Sequence, residues 1–212
     1  MAPRESKISV LTGDIVNSTQ LTDDEQVRAH AALARCADMV QDWADAPLCY
    51  TRHRGDGWQV VISPSALGLR SALAFRAAIK ALGKRFDTTI GIGDGIVEGP
   101  IPTDLNIATG TPFVQSGRAL EKTKRQAVAV LHGGKGSLDA VTILAATISD
   151  DWTPAQSAAI YHALNPLADP VYTEIAAALG KSRQAVTKAL DGAKCNRLRS
   201  ALTQLESDDH HV

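Results

Sequence analysis

The 212-residue sequence has no apolar run approaching membrane-spanning length, which excludes a chain threaded through a bilayer by helices. Its opening, MAPRESKISVLTGD, reaches polar turn residues too soon after a short apolar run to be a secretory signal, so a cytoplasmic location is expected. Cysteine is scarce: Cys36, Cys49 and Cys195 are odd in number, widely separated and never in a CxxC pair. That excludes both a disulfide framework and a structural zinc site. No repeat of 20 to 50 residues stands out. The glycine-rich GIGDG (91–95) lacks the GxGxxG order of a dinucleotide fingerprint, and GGKGS (133–137) lacks a Walker A loop. No two histidines have metal-binding spacing; His53 and His132 fall near strand ends, and His210 and His211 lie in an acidic tail. A formal net charge of -1 excludes gross attraction to nucleic acid but leaves room for a local basic face.

What is present is ordinary for a globular chain, with 44% hydrophobic and 21% charged residues. The length suits one domain with an appendage. KISVLTGDI (7–15) reads as a strand with Asp14 at its C-terminal end. From Thr22 or Asp23 to about Asp45, acidic residues in the first turn lead into a stripe of Val27, Ala31, Ala34 and Met39, the pattern of an amphipathic helix. A hairpin follows, about 48–53 and 57–62, turning at Arg54-Gly55-Asp56-Gly57. Ser63-Pro64-Ser65 starts a second helix, to about Leu82, with Leu69, Leu73, Ala77 and Ile79 facing inward. Residues 86–99 read as a glycine-punctuated strand pair or bulged strand, residues 113–127 as a helix and 128–133 as another strand. That order implies an α+β sandwich with a mainly antiparallel sheet over residues 1–136, followed by an all-α unit over 137–212.

YTEIAAALGKSRQAVTKAL (172–190) has the pattern of a helix-turn-helix. Ala176 is small where the helices meet, Gly180 makes the turn and Val186 recurs at the buried spacing, with Ile175, Leu179 and Leu190 completing the apolar face. Ser182 caps the second helix, which presents Arg183, Gln184, Thr187 and Lys188 outward. Six basic residues and one acid lie between Lys181 and Arg199, including Lys194 and Arg197. That balance suits phosphate contacts with double-stranded DNA, and a helical hairpin used only for packing is the alternative. DDWTPAQSAAIYHAL (150–164) reads as a support helix, capped by Thr153. Trp43, Trp58 and Trp152 read as packing residues.

Arg52, His53 and Arg54 crowd the hairpin turn beside Asp56, and cations beside a carboxylate at a strand end suit an anionic ligand carrying a metal ion. GDIVNST (13–19), RGDGW (54–58), GIGDG (91–95) and GTPFVQSGRALE (110–121) together resemble the class III nucleotidyl cyclase homology domain, in that family's order. The resemblance implies that Asp14 and Asp56 hold two ions, Mg²⁺ or Mn²⁺, on a nucleoside triphosphate. Hard oxygen ligands suit those ions, and two metals can activate an attacking hydroxyl while stabilising charge on the α-phosphate. It further implies a base-reading role for Arg52, four residues before Asp56, and a transition-state role across a dimer interface for Arg118. The family's asparagine one turn before that arginine falls on Val114, with Gln115 about 100° around the helix. Ile107 falls near the second base-reading position, beside Asn106. The backbone amides of Ser18 and Thr19 could meet a triphosphate, or the two residues could only cap the next segment.

Over nearly its whole length the chain also resembles bacterial SatD-like proteins, with GDI, a GD hairpin, GIGDG, GTPFVQSGRAL, a WTPAQ segment and a helix-turn-helix in order. The expectation is a homodimeric DNA-binding regulator whose cyclase-like domain binds a metal-nucleotide or related phosphate ligand. The rival is an active cyclase or nucleotidyl transferase regulated by its helical part, and a third reading is an interaction protein with neither ligand.

Overall fold

The computed structural model describes residues 7–44, 47–53 and 55–208; Asp45, Arg54 and the His210–His211 tail, named above, lie outside them. Among the described residues the chain forms β1 (Lys7–Ile15), α1 (Asp23–Gln41), β2 (Cys49–Arg52), β3 (Gly57–Ile62), α2 (Gly68–Lys80), β4 (Thr88–Ile96), α3 (Thr111–Gln126) and β5 (Val130–His132). Five helices follow: α4 (Ser137–Asp150), α5 (Pro154–Ala163), α6 (Tyr172–Leu179), α7 (Arg183–Gly192) and α8 (Cys195–Asp208). The architecture is mixed α+β, with the sheet order β2-β3-β1-β4-β5. β1 pairs antiparallel with β3 and β4, β2 antiparallel with β3, and β5 parallel with β4.

Residues 88–96 form one continuous strand, paired with β1 at nine positions, so the expected bulge or strand pair does not occur. Its glycines serve packing. A Cβ on Gly91 would lie 2.1 Å from the Ser116 carbonyl oxygen, and one on Gly93 would lie 2.3 Å from that of Pro112. Side chains there would push α3 off the sheet. The other face of the sheet is covered by α1 and α2, and Trp58 stacks on Phe75 with ring centroids 4.8 Å apart. Trp43, Trp58 and Trp152 are all buried, in keeping with packing roles.

Two sequence expectations need correction. The buried stripe of α1 runs through Ala29, Ala32, Leu33, Cys36, Ala37 and Val40, whereas Val27 is 65% exposed and Ala34 also faces solvent. Both stripes have helical period; the one with Leu33 and Cys36 buries more apolar surface, and tertiary contact selects it. The helix starts as expected, with Thr22 and Glu25 forming a reciprocal capping box, and stops at Gln41. In α2 every one of the 13 residues is buried, not only the inward face. The helix is a shared layer: the sheet lies on one side and α4, α5 and α8 lie on the other.

That double burial explains two arginines in its midst. Arg70, 1% exposed, donates to both Glu206 oxygens at 2.6 and 2.7 Å and to the Leu164 carbonyl oxygen at 3.1 Å. Arg76 is engaged in the same way by Asp87 and by the end of α4. Buried guanidinium groups are tolerated because each N–H fork is met by a carboxylate or carbonyl acceptor. One hydrophobic cluster accordingly runs from Leu11 and Ile90 in the sheet to Val186 and Leu202 in the last helices. No helix among the described residues is long and apolar enough to cross a membrane.

Candidate functional site

The antiparallel ladder of β1 and β3 sets Asp14 opposite Gly57, so Asp14 and Asp56 stand at neighbouring strand ends. A Cβ on Gly57 would lie 3.5 Å from Asp14 Oδ1. The Ile15 backbone N–H donates to the Asp56 carbonyl oxygen at 3.1 Å, which ties the hairpin turn to the end of β1. Thr88 supports the same point from β4: its hydroxyl donates to the Asp14 carbonyl oxygen at 2.8 Å and accepts from the buried Trp58 ring N–H at 3.2 Å. The sheet thus brings the two aspartates to neighbouring strand ends.

Beyond β1 the chain turns through Asn17, whose φ of 52° is left-handed, into a short 3-10 turn over Ser18–Gln20. Ser18 Oγ donates to Asp56 Oδ2 at 2.6 Å, and Gln26 of α1 holds the turn by donating to the Ser18 carbonyl oxygen at 3.2 Å. Thr19 lies exposed in the same turn. Arg52 is exposed at the end of β2, opposite Trp58. The His53 ring bonds the Asn106 side chain, so Asn106 meets the hairpin while Ile107 beside it is 71% exposed.

Two residues of the site were not singled out from the sequence. Lys124 of α3 places Nζ 3.0 Å from Asp14 Oδ2, and that hydrogen bond and charge, with Asp56 adding attraction, raise its pKa. Its only sequence signal was a basic residue on the helix of Arg118; the crossing of α3 over β1 brings it to the aspartates. His30 of α1 is buried, and its pKa is lowered by burial first and by the charge of Arg52 second, with the Gly55 backbone and Asp56 opposing. The imidazole therefore lies beside the hairpin turn as a neutral group. Its signal was membership of the true α1 stripe.

The arrangement can attract cations and polyanions together. Two carboxylates repel one another unless a positive charge sits between them, and Lys124 already meets one. Among the described residues no cluster of three or more His, Cys, Asp or Glu side chains could hold a metal ion. Asp14 and Asp56 offer carboxylate oxygens, the ligand type that Mg²⁺ takes alongside water and phosphate oxygens.

Arg118 is exposed on α3, and Val114 one turn earlier is 50% exposed. Among the described residues no hydrogen bond or ion pair joins Arg118 to Asp14 or Asp56. Gln115 turns away from that face onto the sheet, where its Cβ lies 2.9 Å from a Cβ built on Gly93.

In the helical region Gly180 takes φ 60° between α6 and α7, Ser182 Oγ accepts from the Ala185 N–H at 3.2 Å, and Ile175, Ala176, Val186 and Leu190 are buried. Lys181, Arg183, Gln184, Lys188, Lys194 and Arg197 are exposed. Thr187 is half-buried and spends its hydroxyl on the Arg183 carbonyl oxygen at 3.0 Å. Arg199 is not available as a phosphate contact: it binds the Ala168 carbonyl oxygen at 3.0 Å and Asp169 at 3.3 Å. Burial pushes the Cys36 thiol well above its usual pKa and that of Cys195 to about 11, which leaves both as packed, unreactive groups.

No protein-family model and no curated protein sequence matches this chain. Among solved structures it is similar to the GGEEF domain of a diguanylate cyclase from Vibrio cholerae, with a TM-score of 0.44 and 15% identity over 62% of this chain and 85% of that one. It is similar to a bacterial light-regulated adenylyl cyclase, with a TM-score of 0.45 and 16% identity over 61% of this chain and 77% of that one. It is also similar to the guanylate cyclase domain of RhGC from Catenaria anguillulae, solved with GTP, at a TM-score of 0.40 and 20% identity over 54% and 71% of the two chains. These likenesses are distant in sequence and partial in superposition, and no residue correspondence follows from them.

Proposed function

We propose that the C-terminal end of β1 binds a nucleoside triphosphate with Mg²⁺ or Mn²⁺, as a nucleotidyl cyclase-like or nucleotidyl transferase site. The observation that carries this reading is the meeting of Asp14 and Asp56 at adjacent strand ends, with Ser18 bonded to one and Lys124 to the other. Asp14 and Asp56 would hold the ions, which when bound neutralise phosphate charge and polarise the reacting oxygens. Lys124 would exchange Asp14 for a phosphate oxygen, the backbone amides of Ser18 and Thr19 would meet the polyphosphate, and Arg52 would lie beside the base. Among the described residues Arg118 bonds neither Asp14 nor Asp56, so the transition-state role proposed for it would be played across a homodimer interface. Val114 offers no hydrogen bond one turn before it, which sets the expected turnover low.

Titration calorimetry tests the site with Mn²⁺-ATP and Mn²⁺-GTP, followed by assay for cyclic and linear products. Asp14→Asn with Asp56→Asn should abolish metal-dependent binding and leave the circular dichroism spectrum intact. Unchanged binding in the double variant would remove the proposed site.

A second reading concerns the output. The exposed row Arg183, Gln184 and Lys188 over buried Val186 favours double-stranded DNA as partner of residues 137–212, with residues 1–136 as the nucleotide unit. On that reading Lys181, Lys194 and Arg197 contact phosphates, Thr187 adds only its methyl group, and the chain is a nucleotide-responsive regulator.

A further inference from the structure

On the sheet face that α3 covers, the end of β2 adds a polar side chain beside the candidate nucleotide site. Alternation along the strand sets Thr51 on that face, where its hydroxyl donates to the Thr103 carbonyl oxygen at 3.2 Å and accepts from the Leu105 N–H at 2.9 Å. His53 follows on the same side, its backbone N–H donating to the Gly57 carbonyl oxygen at 2.9 Å. Asp14 lies on this face too, since its carboxylate meets Lys124 of α3. The point that a Cβ on Gly57 would occupy lies 3.5 Å from Asp14 Oδ1 and 3.6 Å from His53 Cδ2. Gly57, having no side chain, is thus the bare floor between the carboxylate and the imidazole edge that carries Nε2.

The hydrogen bonds fix which ring nitrogen carries the proton. Asp104 Oδ1 accepts from the backbone N–H and from the side-chain Nδ2 of Asn106, at 3.0 and 2.8 Å. A carboxylate only accepts, so the amide stands with Nδ2 toward Asp104 and Oδ1 toward His53. An amide oxygen also only accepts, so His53 Nδ1 donates the bond that joins ring and amide. The neutral imidazole then keeps its lone pair on Nε2. Among the described residues nothing bonds that atom, and it is open to solvent. The series Asp104, Asn106, His53 therefore ends in an unpaired acceptor beside Asp14.

An acceptor in that place discriminates among the parts of a nucleotide. Ionised phosphate oxygens accept as well, so Nε2 turns them away; their cation, Lys124, stands at the other oxygen of Asp14. The partner of Nε2 must bear a hydrogen on a heteroatom and lie within one residue's width of the carboxylate. Ribose joins the phosphates to the base, so its hydroxyls meet that condition before the base does.

Given the metal-nucleotide site of Asp14 and Asp56, on which this rests, we propose that His53 Nε2 accepts a hydrogen bond from a ribose hydroxyl of the bound nucleotide and so sets its sugar specificity. Asn106 and Asp104 are positioning residues that hold the ring in the accepting tautomer.

Calorimetric titration of the full chain with Mn²⁺ and ATP or GTP, then with the 2′-deoxy and 3′-deoxy forms of whichever binds, tests it. One deoxy form should bind about three- to tenfold more weakly, the scale of one hydrogen bond, and its identity names the hydroxyl. His53→Ala should weaken the ribonucleotide by the same factor and leave that deoxy form unchanged. His53→Gln, whose Oε1 stands in for Nε2, should restore part of the discrimination. A ¹H–¹⁵N correlation of the ring nitrogens in mildly alkaline buffer, with His53 assigned by its loss in His53→Ala, should show the proton on Nδ1. Asn106→Ala should shift that ring toward the other tautomer and reduce the discrimination. A proton found on Nε2 in the unaltered protein overturns the proposal without reference to any nucleotide. Equal binding of all three sugars, or His53→Ala weakening all three alike, overturns it while binding that still needs Asp14 and Asp56 leaves the metal-nucleotide site standing. No binding of any nucleotide removes both.

Discussion

Arg76 donates from Nε and Nη2 to the two carboxylate oxygens of Asp87, at 2.9 and 2.8 Å, while its Nη1 lies 2.7 Å from Asp150 at the end of α4. Asp87 precedes Thr88, the residue whose hydroxyl holds the Asp14 carbonyl, and the Asp87 carbonyl oxygen accepts from the Val16 N–H at 2.9 Å. A bonded path therefore runs from the C-terminal helices through α2 to the end of β1.

Arg76→Met should break that path. Removing one partner of a buried ion pair costs about 3 to 5 kcal/mol; Asp87 and Asp150 are 30% and 45% exposed and keep some hydration, which places the loss near the lower figure. A loss of about 3 kcal/mol lowers the melting temperature by roughly 6 to 12 °C for a chain of this size. A calorimetric scan checks the loss. Metal-nucleotide affinity measured well below the transition should fall as well, and an unchanged affinity would show that the path carries stability only.

Lys124→Met separates two consequences of one ammonium group. Losing the ion pair frees Asp14, so Mn²⁺ alone should bind two- to fivefold more tightly, the scale of an exposed pair. Mn²⁺-triphosphate should bind more weakly, because the phosphate loses a cation. Titrations with the ion and with the complex should shift in opposite senses; two unchanged curves would leave Lys124 a surface residue without a part in the site.

Val114→Asn restores a hydrogen-bonding side chain one turn before Arg118. The position is half-exposed, so stability should change by less than about 0.5 kcal/mol. If the chain cyclises or transfers nucleotidyl groups at all, product formation should rise toward the roughly 100-fold that a transition-state donor contributes. Rapid turnover by the unaltered protein would show instead that Val114 is no obstacle.

On the helical face, Arg183→Ala or Gln184→Ala should relax sequence preference by about 1 to 3 kcal/mol per lost base contact. Lys194→Ala or Arg197→Ala should weaken every duplex alike and flatten the salt slope by about one unit each. Arg199→Ala should act on the fold, because its guanidinium holds the Ala168 carbonyl. Anisotropy titrations against DNA flanking the native gene, at several salt concentrations and with and without nucleotide, read all of these. No salt-dependent binding to any duplex would reduce α7 to a packing helix.

Much of the local structure was legible because it depends on neighbours in sequence. Gly180, Ser182 and the hairpin glycine Gly55 each specify a cap or turn through their own backbone chemistry, although the positive φ falls on Gly55 and not on the Asp56-Gly57 pair. The Asp14 and Asp56 pair was legible too, since each lies at a strand end and a hairpin returns the second strand beside the first. What the chain does with its longer range was not. Period alone could not choose between the two stripes of α1, because both repeat every turn. It could not show that α2 would be buried on all sides, since Arg70 and Arg76 can be buried only when Glu206, Asp87 and Asp150 arrive from distant segments. The glycines of 91–95 read as punctuation of a strand pair or bulge and are instead the floor on which α3 rests. Lys124 and His30 owe their meaning to helices crossing strands far away in sequence. Tertiary structure decided these, because contact energy is assigned only when surfaces meet.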